Sequence, residues 1–387
     1  MGRPLTIVHV ITRLLRAGAE ENTWSSCVHQ ARSGHRVHLF YGAESNPDYY
    51  ERQGTDVRLQ LIPSLVRPIH PLKDVQAYGE LRKAFAALRP DIVHTHTSKA
   101  GIVGRQAARA VKVPHIVHGV HMLPFSNVGA VERFVYLAAE HAVAPGTDLF
   151  VHVSHGTKQA YETASIGRKV PHRVVRSGME IGKFRDAPWP DDWRDMLRIG
   201  PDEEKPSVIL MLAALEPRKR HIDFLEGFAA ATRPGEPIRL IFAGDGPDRE
   251  AVHQKVADLG LADRVVLLGY YPTPERVVAL SDIGVLASLR EGLPRVVVQY
   301  LGGGKPAVVS PVEAIEEIVQ HGVNGRIVPS PDAAEVARVA VDLIRDRSEL
   351  ARLSAGAAVS PVDEWSFPAM FAALDASYES LPVPARR

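Results

Sequence analysis

Residues 288–310, SLREGLPRVVVQYLGGGKPAVVS, decide the fold. A β-branched run, DIGVLAS (282–288), ends at Ser288, and a loop carries Glu291 and Gly292. A helical pattern follows over 294–302, and a second β-branched run, PAVVS (306–310), comes after the glycines. Strand, loop, helix and strand in so short a space make a βαβ unit, which implies a parallel sheet covered by helices. Pro294 falls at the expected N1 position, where a missing N–H has no partner to lose. Such a helix start offers unpaired backbone N–H groups and the positive end of a dipole, which together form an anion site.

The same alternation runs outward in both directions. In the first half, 6–11, 36–42, 91–96, 115–120 and 149–154 read as strands. Gly18–Ser33, Asp74–Leu88, Ser98–Val111 and Val128–Ala144 have helical period between them. In the second half, strands are expected at 208–215, 238–244, 264–269, 282–288 and 306–310, with helices at 221–232, 247–259, 294–302, 313–320 and 332–345. The segment 185–206 is rich in Pro and Asp and has no strand pattern, so it separates two α/β domains. We therefore expect two doubly wound, Rossmann-like parallel-sheet domains facing an interdomain cleft, over 1–180 and 181–361. A closing amphipathic helix in 362–387 is expected to cross back onto the first domain. Ligands of such sheets bind at the carboxyl ends of the strands.

Composition narrows the classes. The 387 residues suit two domains rather than one core, and 45% hydrophobic with 24% charged residues excludes a disordered or collagen-like chain. The single cysteine, Cys27, forms no internal bridge, so nothing asks for an oxidising compartment. No apolar run reaches the roughly 18 residues of a membrane helix, and MGRPLTIVHVITRLL reads as a first strand rather than a signal peptide. A cytoplasmic protein is the default expectation, with membrane association left open. The net charge of +1 hides an asymmetry, since residues 1–180 hold 22 Lys+Arg against 14 Asp+Glu and the remainder 24 against 31. The basic half also holds 14 of the 17 histidines. It suits an anionic or polar acceptor or an anionic surface, whereas scattered basic residues without a recognition motif argue against nucleic acid.

Several residues carry candidate chemistry. Glu291 stands at the mouth of the helix start and Gln299 lies eight residues on, roughly 12 Å along a helix. That span suits one polar group on the sugar and one on the ribose of a nucleotide-sugar. A plain strand–loop–helix with a surface glutamate is the competing reading. LEPRKRH (215–221) puts Arg218, Lys219 and Arg220 after a strand, where they can neutralise a diphosphate or simply solvate a helix start. AGDGP (243–247) repeats the strand–glycine-turn–helix arrangement, with Pro247 at an expected N1, and RAGAEEN (16–22) places Gly18 after the first strand. At Gly18, Gly244 and Gly292 a backbone without a side chain can approach a ligand closely. His94 and His96 share a strand face, but no carboxylate or cysteine accompanies them, so local hydrogen bonding is expected rather than zinc. Val131, Phe134, Val135, Leu137 and Ala138 form an apolar stripe, which reads as core rather than as a membrane face.

HTHTSKAGIVGRQAAR (94–109), VSHGTKQAY (153–161), RSGMEIGKF (176–184), LEPRKRH, AGDGP and REGLPRVVVQYLGGGKPAVVS (290–310) occur in that order. Together they resemble the retaining GT-B nucleotide-sugar glycosyltransferases of group 1, also numbered family 4, over nearly the whole chain. The resemblance implies transfer of a sugar from a nucleotide diphosphate, UDP ahead of GDP, with retention of configuration and without a catalytic metal or other cofactor. It implies that Glu291 holds hydroxyls of the donor sugar and that Gln299 meets the ribose where the family has a second glutamate. An amide still donates and accepts hydrogen bonds to a diol, but the charge is gone. Lys219 matches the diphosphate-binding lysine, while the family's preceding arginine is Ala214 here, for which Arg218 or Arg220 can substitute. Gly18, Gly292, Leu293 and Gly244 are placed on the donor. Gly18 matches the second glycine of the N-terminal pair, with Ala17 at the first, and Ser177 stands where the family has Asn. His121, in HGVHMLPF, matches the active-site histidine near sugar and acceptor, with His118 the competing assignment.

Three readings stay open beside this one: a degenerate homologue that binds without turnover, another GT-B enzyme such as a phosphorylase or epimerase, and a peripheral membrane enzyme. A homodimer is compatible with the sequence. The acceptor, whether a small molecule, a lipid or a saccharide, is set by loops that the pattern does not read.

Overall fold

The computed structural model describes residues 3–15, 18–126 and 128–382. The chain divides into two compact units, Met1–Gly178 with Ser366–Arg387, and Met179–Trp365. The Pro/Asp-rich segment lies inside the second unit, where it follows the short helix Gly182–Arg185 and forms the helix Trp193–Leu197.

The first unit is built on seven parallel strands in the order β3-β2-β1-β4-β5-β6-β7. These are β1 Thr6–Ile11, β2 Arg36–Gly42, β3 Arg58–Ile62, β4 Ile92–His96, β5 His115–Val120, β6 Leu149–His152 and β7 His172–Val174. β1, β4, β5 and β6 are buried along their whole length, as strands covered on both faces must be. The helix Phe367–Glu379 belongs to this unit, and its Met370, Leu374 and Tyr378 pack with Leu5, Ile7, Ile92, Val117 and Leu149. Gly178 is required by that packing, since a Cβ there would meet the Phe367 ring at 2.6 Å. Ser177 accepts a 2.5 Å hydrogen bond from the Asn22 amide.

The second unit holds six parallel strands in the order β10-β9-β8-β11-β12-β13. They are β8 Ser207–Leu212, β9 Ile238–Ala243, β10 Val265–Gly269, β11 Ile283–Leu286, β12 Ala307–Val309 and β13 Gly325–Ile327. Its core runs from Ile209, Phe224 and Phe228 to Val336, Val341 and Leu353. In each sheet the strand order reverses once, between β1 and β4 and between β8 and β11. These switch points are where open α/β sheets bind ligands.

Several elements differ from the sequence reading. β3, β7 and β13 were not expected, and all three are sheet-edge strands whose residues are not a continuous apolar run. The helix expected at 313–320 is only a 3₁₀ turn, Ile315–Glu317, entered through Ala314 in the left-handed region at φ 62°. Pro294 and Pro247 lie outside their helices, which begin at Arg295 and Arg249. The tail splits into a 3₁₀ turn, Val362–Trp365, and the helix Phe367–Glu379, because the Ser366 hydroxyl caps the second piece by accepting from the Ala369 amide. The stripe Val131, Phe134, Val135 is not core: these side chains are 79%, 72% and 46% exposed. Leu137 of the same stripe does pack toward Leu123 and Phe125, and the helix Ala130–Val143 also buries Glu140 and Val143. Among the described residues no helix is long and apolar enough to cross a membrane.

Candidate functional site

In the second unit the two strands at the switch point each deliver one half of a charged site. After β8 the chain makes a 3₁₀ turn, Pro217–Lys219, closed by Arg220 in the left-handed region at φ 58°. After β11 comes the loop of Glu291. The loops are joined by the Leu289 amide, which donates to the Arg218 carbonyl at 2.9 Å. Lys219 Nζ and Glu291 Oε1 form an ion pair in which each residue is only 8% exposed. Arg218 Nη1 lies 3.3 Å from the same oxygen, and its Nε is held by Glu216 at 2.9 Å. Burial alone would raise the Glu291 carboxyl pKa. The charges of Lys219 and Arg218 outweigh burial and hold it below its ordinary value.

Of the two arginines considered as substitutes at Ala214, the structure brings Arg218 to the pair. Arg220 is engaged elsewhere, with Asp223 at 2.7 Å and with the Pro331 carbonyl. Gly292 and Leu293 are buried directly ahead of the helix Arg295–Gly302. Gln299 is half-buried on that helix. Because the helix begins four residues after Glu291, the two side chains are not held on one helical ladder. Gly244 closes the end of β9 against the loop after β8: with φ at +152°, a Cβ there would stand 1.9 Å from the Ala213 carbonyl oxygen. Only glycine fits so close an approach. His221, next to this turn, is fully buried, and its pKa is depressed to about 4 by burial and then by the Lys219 charge.

In the first unit Gly18 opens the helix Gly18–Arg32 after β1, while its predicted partner Ala17 lies outside the described residues. His121 follows β5 and its Nε2 is 2.9 Å from His96 Nδ1. His118 sits inside β5 with Nδ1 3.0 Å from the Thr95 hydroxyl and 3.2 Å from the Thr95 carbonyl. It is packed under the helix Ser98–Ala110, where a Cβ on Gly101 would meet its ring at 2.4 Å. His118 and His121 therefore have different surroundings, and only His121 joins His96. Sequence reading missed His9, because the register that sets His9 of β1 beside His94 of β4 joins positions 85 residues apart. Burial depresses the pKa values of His9, to about 4, and of His94 and His96, well below the ordinary histidine value.

Comparison with known proteins places this arrangement. Residues 194–359 match the family described as "Glycosyl transferases group 1", and residues 17–178 match the "Glycosyl transferase 4-like domain". The chain belongs to the group 1 glycosyltransferases. This glycosyltransferase is 28% identical over 295 residues, 75% of either chain, to the "UDP-Gal:alpha-D-GlcNAc-diphosphoundecaprenol alpha-1,3-galactosyltransferase" of Escherichia coli. It is 30% identical over 289 residues to the "D-inositol 3-phosphate glycosyltransferase" of Thermobispora bispora, covering 70% of this chain and 66% of the relative. Among solved structures it is similar to Anabaena Alr3699/HepE in complex with UDP and glucose, with a TM-score of 0.80 and 19% identity over 97% of this chain and all of the other. That likeness establishes the GT-B fold.

Proposed function

We propose that this glycosyltransferase moves a sugar from a nucleotide diphosphate, UDP ahead of GDP, to a small-molecule, lipid or saccharide acceptor with retention of configuration. The observation that carries the reading is the buried Lys219–Glu291 pair with Arg218 beside it, at the carboxyl ends of the two switch-point strands. The leaving diphosphate gains negative charge as the glycosidic bond breaks, and fixed cations stabilise that charge without reorganising. Lys219 and Arg218 supply the cations, and the backbone N–H groups around Gly292 and Leu293 add the positive end of the following helix. Glu291 orients the cations before the donor arrives and accepts hydrogen bonds from the donor sugar's hydroxyls. Gln299 meets the ribose, and the turn at Gly244 lines the donor. In this reading the protein's cations replace a catalytic metal.

In this reading Gly18 belongs to the donor's diphosphate, whereas His121 of the first unit takes the acceptor side, and that unit's basic balance favours an anionic or polar acceptor. The E. coli relative named for UDP-Gal and a diphosphoundecaprenol-linked sugar, and the neighbour solved with UDP and glucose, support a uridine donor. Calorimetric titration with UDP, GDP, ADP and dTDP in the presence of EDTA tests the reading. One nucleotide is expected to bind at micromolar affinity, and Lys219→Ala is expected to abolish that binding while the fold survives. Glu291→Ala is expected to abolish turnover, and Gln299→Glu to keep or tighten donor binding. Wild-type-like turnover in Lys219→Ala or Glu291→Ala removes the assigned site.

A further inference from the structure

One group of side chains in the first unit is built for a task that sugar transfer does not use. Residues i and i+2 of a strand share a face, so His94 and His96 of β4 project to one side, and the register places His9 of β1 beside His94. One ring nitrogen from each of these three buried histidines lies within 4.8 Å of the other two. Their remaining ring nitrogens are each fixed from outside. His9 Nε2 meets Gln30 Oε1 at 2.8 Å, His94 Nδ1 meets the Tyr378 hydroxyl at 2.7 Å, and His96 Nδ1 meets His121 Nε2 at 2.9 Å. The nitrogens without such an anchor are His9 Nδ1, His94 Nε2 and His96 Nε2, and the first and last of them lie 2.9 Å apart. An imidazole whose far nitrogen is anchored by a polar partner is the arrangement that orients metal-binding histidines.

Two further observations point to an occupant. His94 Nε2 is buried and has no hydrogen-bond partner among the described residues, in a side chain only 2% exposed. A buried polar atom left so is destabilising. Space has also been kept open beside it. Gly119 of β5 pairs with His96, and a Cβ there would stand 3.1 Å from His94 Nε2 and 2.9 Å from His96 Nδ1. A cavity of about 30 Å³, lined by His94, His96, Gly119 and His121 with Asn22 and Ser26, opens at this point. That is room for one small occupant. A cluster held only by hydrogen bonds leaves His94 Nε2 idle, because His9 Nδ1 and His96 Nε2, 2.9 Å apart, already share one proton.

We propose that His9, His94 and His96 bind a divalent transition metal ion of the zinc type through His9 Nδ1, His94 Nε2 and His96 Nε2, with a fourth position facing the cavity beside Gly119. Three neutral imidazoles suit zinc, copper, nickel or cobalt, whereas calcium and magnesium want oxygen ligands. Burial keeps all three rings in the neutral form that ligates.

Binding has a consequence for His121. Without metal, Gln30 Oε1 accepts from His9 Nε2–H, so His9 Nδ1 accepts from His96 Nε2–H and His96 Nδ1 accepts from His121 Nε2–H. With metal on His96 Nε2, the His96 proton moves to Nδ1 and donates to His121 Nε2, so the direction of that hydrogen bond inverts. The site thereby joins two strands, β1 and β4, and selects the His121 tautomer. It stands independently of the donor reading, because none of its ligands belongs to the unit that holds Lys219 and Glu291.

The test is zinc alone, added to full-length protein purified without a histidine tag. Elemental analysis after dialysis against a competing chelator is expected to give one zinc per chain. Zinc K-edge absorption is expected to show a shell of three imidazole nitrogens at about 2.0–2.1 Å. His94→Gln, which removes a ligand, and Gly119→Ala, which fills the space, are each expected to weaken zinc binding at least tenfold with the far-ultraviolet circular dichroism retained. Absence of zinc from the wild type, or unchanged affinity in a folded His94→Gln variant, overturns the proposal. If the variants do not fold, the wild-type shell decides: three imidazoles support the site, and a shell of carboxylates, water or thiolate overturns it.

Discussion

Replacing Lys219 by methionine separates the electrostatics of the candidate donor site from its packing. The substitution keeps the length of the side chain and removes its charge, leaving Glu291 buried at 8% exposure. Removing one member of a buried ion pair typically costs about 3–5 kcal/mol, because the other charge is left uncompensated. Arg218 Nη1 remains 3.3 Å from the same carboxylate oxygen but is partly solvated, so it compensates incompletely. We expect a loss of about 2–3 kcal/mol at neutral pH. For a unit of this size each kcal/mol moves the midpoint by about 2–4 °C, so the second unit's thermal transition should fall by about 4–12 °C.

The sign of the pH dependence is fixed by the same geometry. In the wild type the Glu291 carboxyl is held below its unfolded value, so its stabilising contribution is complete above that value and is lost as pH falls through the folded one. Without Lys219 a main opponent of burial is gone and the folded pKa rises, so the variant takes up a proton at higher pH than the wild type. The stability gap between the two proteins must therefore narrow as the solution is acidified from about pH 7.5 toward the carboxylate range. Scanning calorimetry at several pH values reads this directly. Adding Glu291→Gln to Lys219→Met should recover most of the loss, since a neutral amide needs no cation. A gap independent of pH, or a double variant no more stable than Lys219→Met alone, refutes the assignment of this pair as a buried charge compensation.

Other consequences can be measured in the same way. Gly244→Ala should destabilise the second unit by at least about 2 kcal/mol, since the backbone is in a glycine region and the Cβ meets a carbonyl; a variant as stable as wild type contradicts the close approach of the two loops. Arg105 and Glu140 pair at 2.7 Å with both side chains 1% exposed, so Arg105→Met should cost about 3–5 kcal/mol, while Arg105→Met with Glu140→Leu should return to near wild-type stability in chemical denaturation. A double variant as weak as the single one would show that packing, not charge, is at stake. Phe134→Ser should change stability by no more than about 0.5 kcal/mol, because the ring is exposed; a loss of several kcal/mol would return Phe134 to a core.

The strand–helix alternation was legible because the central strands are buried on both faces. TIVHVI, HIVHGV and IRLIFA keep their apolar character against any register, so they can be located without knowing their neighbours. The edge strands Arg58–Ile62, His172–Val174 and Gly325–Ile327 carry no such signature, since each pairs on one side only. Val131, Phe134 and Val135, the exposed members of the apolar stripe on Ala130–Val143, misled for the converse reason. Helical periodicity reports that one face is apolar, but which face meets a core is decided by the neighbouring elements, and here the packed side is the one bearing Leu137 and Glu140.

The two candidate sites differ in legibility for a related reason. Lys219 and Glu291 each lie inside a contiguous strand–turn segment whose turn residues and helix start can be recognised locally, so only their meeting had to be supplied by the fold. The histidine site has no such local frame. His94 and His96 are adjacent on a strand, but the third ring comes from β1, and the partners of their outer nitrogens come from three separate elements at Gln30, His121 and Tyr378. With two histidines in view, the absence of a neighbouring carboxylate or cysteine argues against a metal. With the third brought in by register and the outer nitrogens anchored, the same residues become a converging set of neutral ligands. A three-histidine site assembled across a parallel sheet is therefore invisible to spacing rules written for ligands on one segment.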